Sequence, residues 1–180
     1  MARFLAECSV GPGCALKLDF PVLEPSAASL LQPFFTRNSF RQLSIDMPST
    51  CMSALAPEIM HIDEVIFHQT MPPTSLFDAR ELPSSILLQW PQNVDDDSPE
   101  VGSFWQILSH LSVLPPSAGS KATTLRILDE GSIDFDWLVP DEEWHDTFIG
   151  RLLKLAVPLF RRGIVVVDRR GRDITSFLQP

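Results

Sequence analysis

The sequence predicts an α/β fold: a repeat-like, mostly parallel strand array with short return helices, capped by a long C-terminal helix and a β-hairpin. Three observations predict it. A short apolar cassette recurs as Leu16-Lys17-Leu18, Leu43-Ser44-Ile45, Val65-Ile66-Phe67, Ile86-Leu87-Leu88 and Leu125-Arg126-Ile127, with starts 27, 22, 21 and 39 residues apart. The middle spacings are those of a strand plus its return segment in a solenoid. Sixteen prolines against eight glycines cut the chain between cassettes into many short elements. Finally, the stretch from Asp141 to about Arg162 carries helix-specifying side chains at both ends.

Taken in order, Ala15 to Leu23 alternates enough to be the first strand, and Pro21 keeps it from pairing on both sides. Glu24-Pro25-Ser26 opens a short helix with Ser26 as N-cap; Ala27, Ala28, Leu30, Leu31 and Phe34 give its apolar stripe and Pro33 limits its length. The second strand is Phe40 to Asp46, followed by a helical turn over Ser49 to Leu55 ahead of Pro57. His61 to Gln69 is the third strand, with a weak turn of helix at Leu76 to Arg80, and Ser85 to Trp90 is the fourth. Asn93 to Glu100 is polar, acidic and bounded by Pro91 and Pro99, which predicts an exposed loop. Phe104, Trp105, Ile107, Leu108 and Leu111 then repeat at helical spacing up to Leu114-Pro115-Pro116, Ser117 to Ser120 is a flexible link, and Ala122 to Leu128 is the fifth strand.

Ser132 to Trp137 alternates strictly, with Ile133, Phe135 and Trp137 on one face and Asp134 and Asp136 on the other, as a half-exposed strand does. In the long helix Asp141 follows Pro140 as N-cap, Glu142 and Glu143 favour the positive end of the dipole, Arg161 and Arg162 the negative end, and Gly163 ends it. Trp144, Phe148, Leu152, Leu155, Ala156 and Leu159 form its buried stripe, and Pro158 removes one backbone donor in the last turn. Ile164 to Val167 follows as a strand, Asp168 to Gly171 turns, and Asp173 to Leu178 returns as a hairpin arm. The expected organisation is a single domain over 1–180, with the array at 13–130 and the helix-plus-hairpin cap at 141–178.

A length of 180 residues is enough to bury about 70% of the surface the unfolded chain exposes, so no metal or disulfide staple is required. The net charge of -9 argues against nucleic acid or an anionic membrane as partner and in favour of a protein, with a basic partner for the acidic surface. Cys8, Cys14 and Cys51 are odd in number and lack metal or redox spacing, and no secretory h-region or apolar run of about 20 residues is present; the expectation is a soluble cytoplasmic protein with buried, structural thiols.

The spelling of an apolar residue, two others and then the strand pair is met by Phe40-x-x-Leu43-x-Ile45, Ile62-x-x-Val65-x-Phe67 and Ala122-x-x-Leu125-x-Ile127. These stretches resemble irregular leucine-rich repeats, particularly those that follow F-box segments in eukaryotic substrate receptors, over roughly residues 13 to 130. The resemblance implies an adaptor-like, non-catalytic protein-binding role. An ordinary α/β or α+β sheet accommodates the same triplets. In a parallel array, the residues between and beside each buried pair face outward together, so Lys17, Asp19, Ser44, Asp46, Ile66, His68 and Arg126 are the expected partner-binding face.

Catalytic residues, metal ligands and cofactor-binding motifs are not expected. Asp134 and Asp136 would lie about 6.5 to 7 Å apart on one strand face, a spacing that suits paired carboxylates and supports a small hydrolase as second alternative. Glu142-x-x-His145 is half of a bundle metal site, and His61 and His68, seven apart, fall on opposite strand faces. Gly11-Pro12-Gly13 lacks the helix and spacing of a phosphate loop. Arg151, Lys154, Arg161, Arg162, Arg169, Arg170 and Arg172 make the C-terminal part basic opposite the acidic tract Asp95 to Asp97. A small acidic chain of this kind also suits a compact inhibitor or immunity-type protein that neutralises a cognate toxin or enzyme, which is the first alternative.

Overall fold

A computed structural model describes residues 10–11, 13–20, 22–68, 70–79, 81–89, 98–114, 122–128, 148–168 and 170–174. Six strands, β1 (Cys14–Asp19), β2 (Phe40–Asp46), β3 (Glu64–Phe67), β4 (Ser85–Gln89), β5 (Thr123–Leu128) and β6 (Ile164–Val167), form one sheet in sequence order, and every neighbouring pair is parallel. The five apolar cassettes lie side by side and in register: Leu16, Leu43, Val65, Ile86 and Leu125 align across the strands, and so do Leu18, Ile45, Phe67, Leu88 and Ile127.

The return segments are short. They are α1 (Pro25–Ala28), a 3-10 turn at Ser29–Leu31 and α2 (Gln32–Arg37) after β1; α3 (Ser49–Ala54) and α4 (Ala56–Ile59) after β2; a 3-10 turn at Thr74–Asp78 after β3; α5 (Pro99–Val113) after β4; and α6 (Phe148–Phe160) after β5. A parallel sheet whose order never reverses is built from crossovers of one hand, which all fall on the same side of the sheet. The packing agrees. Helix α1 touches α3, α2 touches α4, α3 touches the turn at 74–78, that turn touches α5, and α5 touches α6, so the returns stack in the order of the strands they follow. Between the two layers lies one continuous core, to which β2 gives Leu43 and Ile45, β3 Val65 and Phe67, and β4 Ile86 and Leu88. The returns contribute Phe34, Phe35, Met52, Leu55, Ile59, Leu76, Phe77, Phe104, Ile107, Leu152 and Leu159, among others.

Proline places several returns. Pro25 is the first residue of α1, so Ser26 lies inside the first turn rather than capping it. Pro33 and Pro57, expected to stop helices, stand in the first turns of α2 and α4. Their fixed φ and missing N–H suit that position, where a backbone donor has no intrahelical acceptor anyway. The wide spacing before β5 holds α5, whose N-cap is Ser98: its Oγ accepts from the Val101 N–H at 3.2 Å, with Pro99 and Glu100 behind it. Of the loop expected over 93–100, residues 99 and 100 are helical instead and 93–97 lie outside the described residues. Ser98→Ala is expected to lower stability by about 1 kcal/mol in urea denaturation, the usual value of such a cap; an unchanged midpoint would show that the cap is not engaged in solution.

The second strand and the strand over Ile164–Val167 have the expected bounds, whereas the first ends at Asp19 rather than Leu23 and the third is also shorter than its pattern suggests. The third runs over Glu64–Phe67 instead of 61–69, because His61 to Asp63 form a turn in which Ile62 N–H reaches the Ile59 carbonyl at 3.1 Å. The array also has one strand more than the cassettes indicate. Ile164–Val167, expected only in the cap, pairs parallel with β5, with Val166 opposite Leu125. It also begins the expected hairpin, whose return is described as an antiparallel bridge between Val167 and Asp173. Gly163 and Gly171 take φ of 80° and 78°, as their places after α6 and in the turn require.

Residues 129–147 lie outside the described part, and with them the expected strand at 132–137, Asp134, Asp136, Asp141, Glu142 and His145. Of the cysteines, Cys51 is buried and its Sγ donates to the Leu23 carbonyl at 3.2 Å, whereas Cys14, at the exposed start of the edge strand β1, is not the buried thiol expected; Cys8 is outside the described residues. No helix among the described residues is long and apolar enough to cross a membrane.

Candidate partner-binding face

The pleat sends alternate side chains to opposite faces. With Leu43 and Ile45 turned to the helices, Ser44 and Asp46 face the other way, and the register carries this parity across the whole sheet. The central outward row is Lys17, Ser44, Ile66, Leu87, Arg126 and Val167. The next row toward the strand C-termini begins with Asp19 and Asp46 and continues with His68 and Gln89, since Ile45 pairs with Phe67 and Phe67 with Leu88. All seven residues expected on a common face, Lys17, Asp19, Ser44, Asp46, Ile66, His68 and Arg126, are therefore brought together on one side of the sheet. From Lys17 to Arg126 the row crosses four strand spacings, about 19 Å.

Side chains tie these rows together. Ser44 Oγ and His68 Nε2 are 2.6 Å apart, His68 Nδ1 lies 3.3 Å from Gln89 Oε1, and the Thr70 hydroxyl donates to Asp46 Oδ1 at 3.4 Å. Lys17 Nζ stands 3.5 Å from Asp19 Oδ2 at the exposed edge. These polar contacts link side chains of β2 and β4 with those of the segment that follows β3.

The face is not uniform. At the β1 edge the Lys17 and Asp19 side chains are 65% and 57% exposed, whereas Leu87 on β4 is only 6% exposed. Leu87 and Val167 are buried yet do not belong to the core between sheet and helices. The outward row thus passes from the exposed Lys17 through the partly buried Ser44 and Ile66 to the buried Leu87, with the partly buried Arg126 next to it. The Nε of Arg126 is buried without a hydrogen-bond partner among the described residues. The turn after β6 borders it: a Cβ added to Gly171 would lie 3.9 Å from Arg126 Nη2.

That turn is built on Asp168. Its carboxylate, 3% exposed, accepts from the Arg170 and Arg172 N–H groups at 2.8 Å each and from Arg172 Nε at 2.7 Å. Burial pushes its carboxyl up, but the hydrogen bonds from Arg172 and Arg170 and the Arg172 charge outweigh this and hold it below the ordinary carboxylate value. Two of the expected basic residues are thereby engaged within the fold. Arg172 serves the turn, and Arg151 stacks on α5 with its guanidinium carbon 4.3 Å from the centre of the Trp105 ring.

No protein-family model, no curated protein and no solved structure matches the chain.

Among the described residues no three of His, Cys, Asp and Glu are grouped so as to hold a metal ion. His61 is exposed in the turn before β3 while His68 is on the sheet face, so the two are separated, for a reason other than the strand parity that predicted it. The strand order has no reversal, and it is at such reversals that open α/β sheets form their ligand crevices. Three residues of the face were missed from the sequence. Leu87, Gln89 and Val167 follow directly once the register is known, but Leu87 sits inside an unbroken apolar run, Ile86-Leu87-Leu88, where hydrophobicity alone does not reveal which residue is outward.

Proposed function

We propose that this chain is a non-catalytic protein-interaction module, built like an irregular leucine-rich-repeat array, that presents the strand face to a protein partner. The observation that supports this reading is the in-register set Lys17, Ser44 and Ile66 with Asp19, Asp46 and His68 in the next row, all exposed or only partly buried on the side of the sheet away from the return helices, whereas Leu87 and Val167 farther along are already buried. In stable interfaces an apolar residue such as Ile66 loses its remaining water on binding while polar groups surround it. Size adds a requirement. Six strands and three outward rows cover roughly 24 Å by 20 Å, about 500 Å², below the roughly 800 Å² per partner of a standard interface. The partner must therefore also touch segments bordering the sheet. Cys14 and Cys51, free thiols among the described residues, suit a reducing, cytoplasmic setting, and Asp19 and Asp46 at one end of the face favour a partner with a basic group there.

A photo-crosslinking amino acid placed at Ile66, with a second variant carrying it at the exposed Ser53 on α3, tests the assignment in extract of the native source. The expected result is a discrete adduct from position 66 that position 53 does not give. The triple variant Asp46→Ala, His68→Ala, Arg126→Ala is expected to weaken capture of that same protein at least tenfold. Equal capture by the triple variant, or an adduct from position 53 alone, would place the interface elsewhere.

A further inference from the structure

A second site lies away from the sheet face, at the N-terminal ends of β2 and β3. There the end of α2, the start of β2, helix α4 and the turn before β3 enclose a cleft of about 400 Å³, lined by Phe35, Thr36, Asn38, Phe40, Glu58 and His61 among others. That volume falls within the roughly 300 to 1,000 Å³ typical of small-molecule sites.

The lining sorts into groups already engaged by the fold and groups that are not. Asn38 is buried and used at both ends of its amide: Oδ1 accepts from the Val10 N–H at 2.6 Å and Nδ2 donates to the Phe34 carbonyl at 2.7 Å. The Thr36 hydroxyl donates to the Gln32 carbonyl at 2.9 Å. The polarity left over is the Glu58 carboxylate, the exposed His61 imidazole and the exposed Ser39 hydroxyl at the rim. Glu58 is the unusual member. Its Oε2 is shut off from solvent and has no hydrogen-bond donor among the described residues, while the residue as a whole is partly exposed. A carboxylate with one oxygen neither hydrated nor hydrogen-bonded is poorly compensated, and a cation brought beside it gains more there than at a fully solvated carboxylate.

The apolar part of the cleft fits the same ligand. Phe35 and Phe40 meet edge to face with ring centres 5.7 Å apart and both line the cavity. Phenyl rings accept a methylene chain by burial and a nearby ammonium through the ring quadrupole. A carboxylate beside two phenyl rings selects an N–H cation on a short apolar stem and rejects an anion of the same shape.

We propose that this cleft binds a primary alkylammonium group, with the ammonium at Glu58 and the alkyl chain along Phe35 and Phe40. The site is independent of the strand face, so either can fail without the other. The test is a titration of the full chain with n-butylammonium chloride, followed by amide chemical shifts. Saturating shifts confined to residues 35–40 and 58–62 are expected, at least fivefold weaker affinity in Glu58→Gln, and a comparable loss in His61→Arg, which sets a competing cation at the exposed rim. Sodium butyrate, the same stem with opposite charge, should leave these amides unmoved. A capped lysine peptide separates the two sources of such a group: tighter binding than butylammonium indicates a side chain of another protein, weaker binding a free amine. Scattered or non-saturating shifts, equal binding of butyrate, or unchanged affinity in Glu58→Gln with a native-like spectrum would each overturn the proposal.

Discussion

Phe67→Ala is expected to lower the free energy of unfolding by about 3 to 5 kcal/mol, the range for removing a fully buried phenyl ring and leaving its cavity. Phe67 has no exposed surface, lies in register between Ile45 and Leu88, and meets the Phe77 ring edge to face at a centre distance of 6.2 Å. It therefore joins β3 to both neighbouring strands and to the return turn at 74–78. In an array where each unit rests chiefly on its neighbours, a void at a central strand weakens two interfaces at once. The next-door residue supplies the control. Ile66 is on the opposite face and only partly buried, so Ile66→Ala should cost about 1 kcal/mol or less on the same backbone. Urea denaturation of both variants decides the matter: similar losses would mean that the two faces of β3 are equally buried and that the outward assignment of Ile66 is wrong.

The contrast between Phe67 and Ile66 also shows why so much of the sheet was legible in the sequence. Where a cassette alternates, as in Leu43-Ser44-Ile45 or Leu125-Arg126-Ile127, the period of two names the buried pair and the outward residue together. Those cassettes align in the sheet as expected, and the outward residues fall in a row because parity is shared across paired strands. Where alternation is missing, the sequence is silent. Ile164 to Val167 is apolar throughout, and the Asp168-Arg-Arg-Gly171 turn that follows it is a strong hairpin signal. Its parallel partner β5 is chosen instead by tertiary contact, since α6 packs on β6 and on α5 and brings the strand back to the sheet edge. Proline was ambiguous for a different reason. The same ring that ends a helix from within is favoured at its start, and only the neighbouring backbone decides which role Pro33 and Pro57 play.

The cleft beside Glu58 was not legible at all. Its residues come from four short elements between 35 and 62, none adjacent in a recognisable motif, and what marks it is a missing hydrogen bond, a property that no linear pattern carries. The strand face, by contrast, is a repetition, and repetition is what a sequence displays.

Asp168→Ala is expected to cost about 2 to 4 kcal/mol, because it removes the acceptor of two backbone N–H groups and of a guanidinium at once, leaving partly buried donors without a partner. Asp168→Asn should recover part of this, since one oxygen remains to accept. The wild-type advantage carries a pH signature. The carboxyl is held below its ordinary value in the folded chain, so its contribution is fully present above the unfolded carboxylate value of about 3.9 and disappears as pH falls through the lower, folded one. Denaturation of wild type and Asp168→Asn across pH 2 to 7 should thus show a constant difference from neutral down to about pH 5 that narrows only in strong acid. A difference that already closes near neutral would assign the effect to another group. Because the turn borders Arg126 through Gly171 while β2 and β3 lie across the sheet, Asp168→Asn should loosen the Arg126 end of the face and leave the Ser44 to His68 contact in place. On the proposed function, the adduct at Ile66 should therefore survive in this variant with weaker affinity, and its complete loss would mean that the partner depends chiefly on the arginine end.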